Sequence, residues 1–376
     1  MNSLQEYPAY KRLPLQLREA DGNYFHTADG KRVLDLYGGH CVNTLGAGDV
    51  GIGRALAAQW QECSFTTNLI DMPARQDLLH ALAPGLPPGS WQMFCSNSGA
   101  EANENLLKLA LNATGRDTVV AFEGAFHGRT AAAAAVSDQK NPAWPATPFN
   151  VRKLPWGSTS LIDSSVAAVI LEPIQSLAGV IMPAPGFLND LREACDRSGA
   201  LLLFDEVQTG NGRLGEMWAS QFFGVIADGF STAKGIGGGF PLGLTFITES
   251  HAAKVPAGLC GSTFGGGPMA MAAAMQIQKR LVEPGFLDQV KKCGALLQAA
   301  AGVGPVESVQ GAGLLLGLKI SPSTTARQVR DALLAQGILT GLCNDPQILR
   351  LSPALTLNAA DVSQFLDALT SLQFCE

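Results

Sequence analysis

The middle of the chain alternates between two textures. Short, almost continuous apolar runs read as buried strands: "WQMFCSN" (91–97), "DTVVAFEG" (117–124), "VAAVILEPI" (166–174) and "ALLLFDEV" (200–207). Segments of helical period lie between them. "AEANENLLKLALNA" (100–113) places Ala102, Leu106, Leu109, Ala110 and Ala113 on one face, and "GFLNDLREACDRSG" (186–199) separates the last two runs. Strands without polar alternation need cover on both faces, so this pattern predicts an α/β layer around a mostly parallel central sheet. Upstream, "GNYFHTADGKRVLDL" (22–36) is a hairpin signal, two short apolar runs around Asp29-Gly30. From about residue 268 the texture changes. "PMAMAAAMQIQKRLVE" and "FLDQVKKCGALLQAAAG" read as long helices, "VESVQGAGLLLGLKI" as two strands, and "TARQVRDALLAQG" and "AADVSQFLDALTSLQ" as amphipathic helices. The expected organisation is a large α/β domain at 45–267 and a smaller α+β domain formed jointly by 1–44 and 268–376.

Composition narrows the function classes. With 376 residues, 47% hydrophobic and 15% charged, the chain can bury a sizeable core. A net charge of −6 without like-charge runs argues against a nucleic-acid partner. No apolar stretch reaches the length of a membrane span, and the N-terminal segment has no apolar core of a secretory signal. The eight cysteines are scattered and form no C-x-x-C pair. The expectation is therefore no metal, no disulfide framework, and free thiols in a reducing cytoplasm.

Polar signals cluster where strands end, which is where open α/β sheets bind ligands. In "SNSGAE", Ser98 and Glu101 have capping-box spacing, Gly99 lets an anion approach the backbone, and the helix opening there suits a phosphate. "LLLFDEV" resembles the metal-holding strand of P-loop ATPases, but no G-x-x-x-x-G-K-[ST] accompanies it. "GIGGGF" fails the dinucleotide fingerprint because Phe240 stands in place of the third glycine, and no G-x-S-x-G is present. What remains is a phosphate-accepting helix terminus, a buried strand-end aspartate and a lysine in the glycine-rich "STAKGIGGGFPLG". Pyridoxal 5'-phosphate needs all three: a phosphate site, a Schiff-base lysine and a carboxylate on its pyridinium nitrogen. On this reading the glycines around Lys234 leave room for the ring and for the lysine to swing away as a general base.

The motifs "LDLYGGHCVNTLG", "SNSGAEANE", "FHGRT", "LEPIQ", "FDEVQTGNGRLG", "STAKGIGGGFPLG", "GSTFGGGP" and "LRLSPAL" occur in this order between about residues 23 and 370. In them the chain resembles the class III (ornithine-type) aminotransferases, nearest to their acetylornithine branch. The resemblance implies the fold-type I architecture of pyridoxal-phosphate enzymes and a homodimer with shared active sites. It implies that Gly99 and Ala100 bind the phosphate, Phe126 stacks on the ring, and Val207 packs on the opposite ring face. Asp205 pairs with the ring nitrogen, Gln208 reaches the ring hydroxyl, and Lys234 is the Schiff-base lysine. Ser262 and Thr263 come from the other subunit, Thr263 to the phosphate and Ser262 towards substrate. Arg129 holds the distal carboxylate of glutamate or the α-carboxylate of an acylated ornithine, and Arg350 holds the α-carboxylate of glutamate. Glu172 resembles the glutamate that pairs with that arginine when the amine substrate binds. His127 is expected to be packed and hydrogen-bonded. His40 stands where the commoner family residue is apolar and is a candidate to face substrate.

The implied activity is transfer of the terminal amino group of an N-acylated ornithine to 2-oxoglutarate, in arginine-type amino-acid biosynthesis. The chain departs from the family pattern in "LGAGDV" for "LGHxHP", Ile70-Asp71 for an aromatic, "EPIQSLAGV" for "EPVQGEGG" and "FGGGP" for "FGGNP", several of them near the substrate entrance that the resemblance implies. They leave open a lysine or ornithine donor carried on a protein or otherwise modified, another ω-amine, and an aminomutase or decarboxylase of the same fold.

Overall fold

The computed structural model describes residues 4–138 and 144–374; Cys375 lies outside them. Seven strands form the central sheet, in the spatial order Trp91–Ser96, Gly243–Thr248, Gly229–Thr232, Leu201–Asp205, Val166–Leu171, Thr118–Phe122 and Asn150–Leu154. Gly243–Thr248 is antiparallel to both neighbours, and the other pairings are parallel. Trp91–Ser96 therefore runs in the same direction as the parallel strands. The carboxyl ends of six strands meet at one edge, where Asn97, Glu123, Glu172, Glu206 and Ala233 begin the loops.

Every residue of Thr118–Phe122, Val166–Leu171 and Leu201–Asp205 is buried, as continuous apolar runs require. The helix Gly99–Thr114 packs on the sheet through Ala102, Leu106, Leu107 and Ala110. Leu107, not Leu109, completes the buried face. The expected capping box is displaced by one residue. Ser98 Oγ accepts from the Glu101 N–H at 3.2 Å, but Glu101 Oε2 accepts from the Asn97 N–H at 2.6 Å.

Two four-stranded sheets lie at the chain ends. Leu17–Asp21, Tyr24–Thr27 and Arg32–Asp35 form the N-terminal sheet, and Ile338–Leu339 joins it parallel to Arg32–Asp35. The other contains Val306–Ala312, Leu315–Ile320, Ile348–Leu351 and Gly341–Leu342. The two ends of the chain are tied further by Asp361, which accepts from Asn23 Nδ2 at 2.8 Å and from the Tyr24 hydroxyl at 2.5 Å. Among the described residues, no helix is long and apolar enough to cross a membrane, and seven cysteines are free.

Candidate active site

The carboxyl edge of the central sheet opens into a cavity of about 220 Å³. Its lining includes Gly99, Ala100, Phe126, Arg129, Glu172, Asp205, Val207, Gln208 and Lys234. Nine of the twelve candidate residues thus come together, brought there by strand ends, by the helix start at Gly99 and, for Phe126 and Arg129, by the loop that follows Thr118–Phe122.

Gly99 opens its helix hard against Val207. A Cβ on Gly99 would sit 3.0 and 3.1 Å from the two Val207 methyls, so glycine is what permits this approach. The first-turn N–H groups of Gly99 and Ala100 have no intrahelical acceptor and open onto the cavity. Asp205 ends its strand with both oxygens engaged. Oδ2 accepts from His127 Nδ1 at 2.8 Å and from Asn103 Nδ2 at 2.7 Å, while Oδ1 accepts from the Val207 N–H at 3.0 Å. Asn103 is fixed in turn, since its Oδ1 accepts from Ser231 Oγ at 2.5 Å and its Nδ2 also donates to the His127 carbonyl. His127 Nε2 is buried and has no partner among the described residues. Sequence reasoning placed His127 as a packed histidine but missed that it and Asn103 position Asp205. The available signal was a pair of asparagines, 103 and 105, on an otherwise apolar helix face.

Lys234 directly follows the strand Gly229–Thr232 and Ala233. Its φ is +49°, a left-handed conformation that disfavours side chains other than glycine, and such strain concentrates at functional positions. Burial lowers the ammonium pKa below its usual value, with the Arg350 charge adding to the effect. Among the described residues its side chain has neither an ion-pair partner nor a hydrogen bond. The glycines after it do not serve the cavity, which corrects the sequence reading. A Cβ on Gly237 would lie 2.0 Å from the Phe240 carbonyl oxygen, one on Gly235 would lie 2.7 Å from Thr44 Oγ1, and one on Gly238 would lie 2.8 Å from Ile52 and Ile277. They allow a tight turn to pack against the helices Val50–Cys63 and Pro268–Leu281.

The two arginines differ. Arg129 is exposed at the cavity mouth, its guanidinium 5.0 Å from the centre of the Phe126 ring. Arg350 is completely buried and lies outside the cavity lining. Its Nη1 donates to Ser176 Oγ at 3.0 Å, its Nη2 lies 3.0 Å from His40 Nδ1 and 3.5 Å from the Tyr37 hydroxyl, and its Nε has no partner among the described residues. Glu172 is not beside it. Glu172 leaves the end of Val166–Leu171 towards the loop at 125–128, where its Oε2 accepts the Phe126 N–H at 3.0 Å, whereas Arg350 belongs to the C-terminal sheet and meets Ser176. Burial pushes the Glu172 carboxyl up to about 7.

Ser262 and Thr263 do not line the cavity of their own chain. Ser262 Oγ accepts from the Gly265 N–H at 2.9 Å, and its carbonyl accepts from Asn68 Nδ2 at 2.7 Å. Thr263 is exposed, and so is Phe264 beside it.

The donor set fits pyridoxal 5'-phosphate: a glycine-lined helix start for the phosphate, a carboxylate braced by three donors, and, lining the same cavity, a lysine without a partner among the described residues. Comparison with known proteins agrees. The family model for class III aminotransferases matches residues 7–372. The acetylornithine aminotransferase of Rhodobacter capsulatus is 38% identical over 377 residues, covering 95% of this chain and 94% of that one. The acetylornithine aminotransferase of Methanothermobacter thermautotrophicus is 33% identical, covering 96% and 94%. The solved structure of N-acetylornithine aminotransferase from Stenotrophomonas maltophilia superposes with a TM-score of 0.83 at 28% identity, covering 97% of this chain and 96% of that one. With its cavity and its near-full-length relatives in agreement, the chain belongs to the class III aminotransferases, which depend on pyridoxal phosphate.

Proposed function

We propose that the enzyme transfers the terminal amino group of an N-acylated ornithine to 2-oxoglutarate, giving a semialdehyde and glutamate, in arginine-type biosynthesis. The observation that carries this is the pair of guanidinium groups: Arg129 lines the cavity with Lys234, and the buried Arg350 is near enough for its charge to act on Lys234. Glutamate has two carboxylates and can use both forks, while an acylated ornithine presents one carboxylate and a distant amine. The relatives named acetylornithine aminotransferase, at 33–38% identity over nearly the whole chain, support the donor class.

When bound, pyridoxal phosphate supplies an electron sink for the carbanion formed next to the amine nitrogen. The protein's residues do the rest. The N–H groups of Gly99 and Ala100 would hold the phosphate, Phe126 and Val207 would flank the ring, and Gln208 would meet the ring hydroxyl. Asp205, kept in place by His127 and Asn103, would hold a proton on the ring nitrogen. Lys234 Nζ would anchor the ring and would move a proton at the reacting carbon; burial lowers its pKa, which favours the neutral amine that a base must be.

The site is read as shared between two subunits, with Thr263 of one chain reaching the phosphate of the other and Ser262 reaching towards substrate. Supporting this, Thr263 and Phe264 lie beside an exposed apolar group, Phe65 and Leu69, on a loop pinned by Asn68. We also read the chain as two domains, 45–267 and the joined segments 1–44 and 268–376, and place it in a reducing cytoplasm. The pairing of Arg32–Asp35 with Ile338–Leu339 and the free cysteines support these readings. The test is glutamate formation from 2-oxoglutarate with acetylornithine, succinylornithine, ornithine and lysine as donors. The proposal requires an N-acylornithine to have the highest kcat/KM, and a preference for free ornithine or lysine would overturn it.

A further inference from the structure

We propose that His40 is a positioning residue for Arg350, fixing the guanidinium so that its free Nε–H edge meets the carboxylate beside the reacting carbon of the substrate. The inference rests on the proposed role of Arg350 as a carboxylate site.

Arg350 is fully buried, yet no carboxylate lies within ion-pair distance of it among the described residues. A buried cation without a counter-ion is costly, so such a group marks a place where an anion arrives. Its partners are neutral: Ser176 on Nη1, and His40 with Tyr37 on Nη2. They leave Nε unpaired. A carboxylate binds arginine through two parallel N–H groups, and Nε with a neighbouring Nη hydrogen makes such a pair. Ser176 holds Nη1 and His40 with Tyr37 holds Nη2, so among the described residues Nε is the guanidinium nitrogen left without a partner.

The backbone is bent to bring His40 there. Gly38, Gly39, His40 and Cys41 all have φ between +58° and +68°. Glycine takes that conformation freely, but His40 and Cys41 adopt it against preference, as side chains do where function over-determines the fold. The His40 ring packs on Tyr37, centroids 4.5 Å apart, and the Tyr37 hydroxyl is 2.5 Å from both ring nitrogens. Burial, and after it the charges of Arg350, Lys234 and Arg129, all cationic, lower the ring's pKa to about 4. A neutral imidazole can offer Nδ1 as an acceptor to Arg350, and a protonated one would repel it.

The test uses the holoenzyme and glutarate, which has the two carboxylates of 2-oxoglutarate but no keto group. His40→Gly removes the ring without backbone strain, His40→Asn restores a side-chain acceptor on a residue that tolerates left-handed backbone, and His40→Leu fills the space should the glycine variant fail to fold. His40→Gly should weaken calorimetric glutarate binding by on the order of tenfold and raise KM for 2-oxoglutarate by a similar factor. Its kcat should stay within about threefold of wild type, with the bound-cofactor absorbance unchanged, and His40→Asn should recover most of the loss. Unchanged glutarate affinity in His40→Gly and His40→Leu, or no recovery in His40→Asn, overturns the proposal. Failure of the wild-type holoenzyme to bind glutarate would instead overturn the underlying role of Arg350.

Discussion

Replacing Glu172 by glutamine tests what the buried carboxyl is for. Its Oε2 accepts the Phe126 N–H at 3.0 Å, a contact that the amide oxygen of glutamine keeps. Burial raises its pKa from 4.5 to about 7. As pH rises, the unfolded chain therefore loses this proton first. The stabilisation held by the protonated native carboxyl is complete below 4.5 and is lost as pH climbs to about 7. That interval is worth about 3 kcal/mol. Glutamine stays neutral at every pH, so Glu172→Gln should be more stable than wild type by about 3 kcal/mol at pH 8. At pH 5 the gain should shrink to under about 1 kcal/mol. With an unfolding entropy of roughly 2 cal/mol/K per residue, the gain at pH 8 raises Tm by about 4 °C. Scanning calorimetry of the holoenzyme at both pH values reads this directly. Because no arginine is paired with Glu172 among the described residues, kcat with the amine donor should remain within about threefold. A gain independent of pH would refute the burial argument. A collapse of the donor half-reaction alone would mean that the carboxylate charge serves the amine substrate, the role implied by resemblance.

Three further predictions follow from the same geometry. Asp205→Ala leaves His127 Nδ1 buried without its acceptor, leaves Asn103 Nδ2 only the His127 carbonyl, and removes the charge proposed to face the ring nitrogen; cofactor affinity should fall by about 3–5 kcal/mol in equilibrium dialysis, and near-wild-type binding would refute the assignment. Gly237→Ala forces a Cβ to within 2.0 Å of the Phe240 carbonyl, so thermal melting should reveal a loss of several kcal/mol; a variant as stable as wild type would show that the turn can relax. Mixing the inactive variants Lys234→Ala and Thr263→Ala and allowing subunit exchange should restore activity, since one site of each mixed dimer carries both defects and the other neither; no recovery would place Thr263 at the site of its own chain.

The parts of the fold that could be read from sequence are those where one local rule decides. Val166–Leu171 and Leu201–Asp205 are continuous apolar runs because helices cover both sheet faces. Gly229–Thr232 and Gly243–Thr248 escape the same rule. They contain Gly, Ser and Thr, and Gly229 is there because a Cβ would meet Leu106 at 2.7 Å, a long-range packing constraint. The helix Val50–Cys63 buries only Ile52 in this chain and carries two glycines, so it shows little apolar stripe. The candidate site was legible where residues sit at strand ends, as Asp205, Val207 and Lys234 do. Contacts made across elements were not. Glu172 accepts the Phe126 N–H, and Arg350 is surrounded by Tyr37, His40 and Ser176 from distant segments. Nor could the glycine run be assigned correctly, since its crowding comes from Thr44, Ile52 and Ile277.

The central claim is that pyridoxal phosphate sits on this cavity with Lys234 as its covalent anchor. Borohydride reduction of the holoenzyme, followed by proteolysis and peptide mass mapping, tests it most directly. The account predicts that the cofactor is fixed to the single peptide containing Lys234, and that Lys234→Ala abolishes both labelling and turnover. Label on any other lysine, or none in a protein that still forms glutamate, would contradict it.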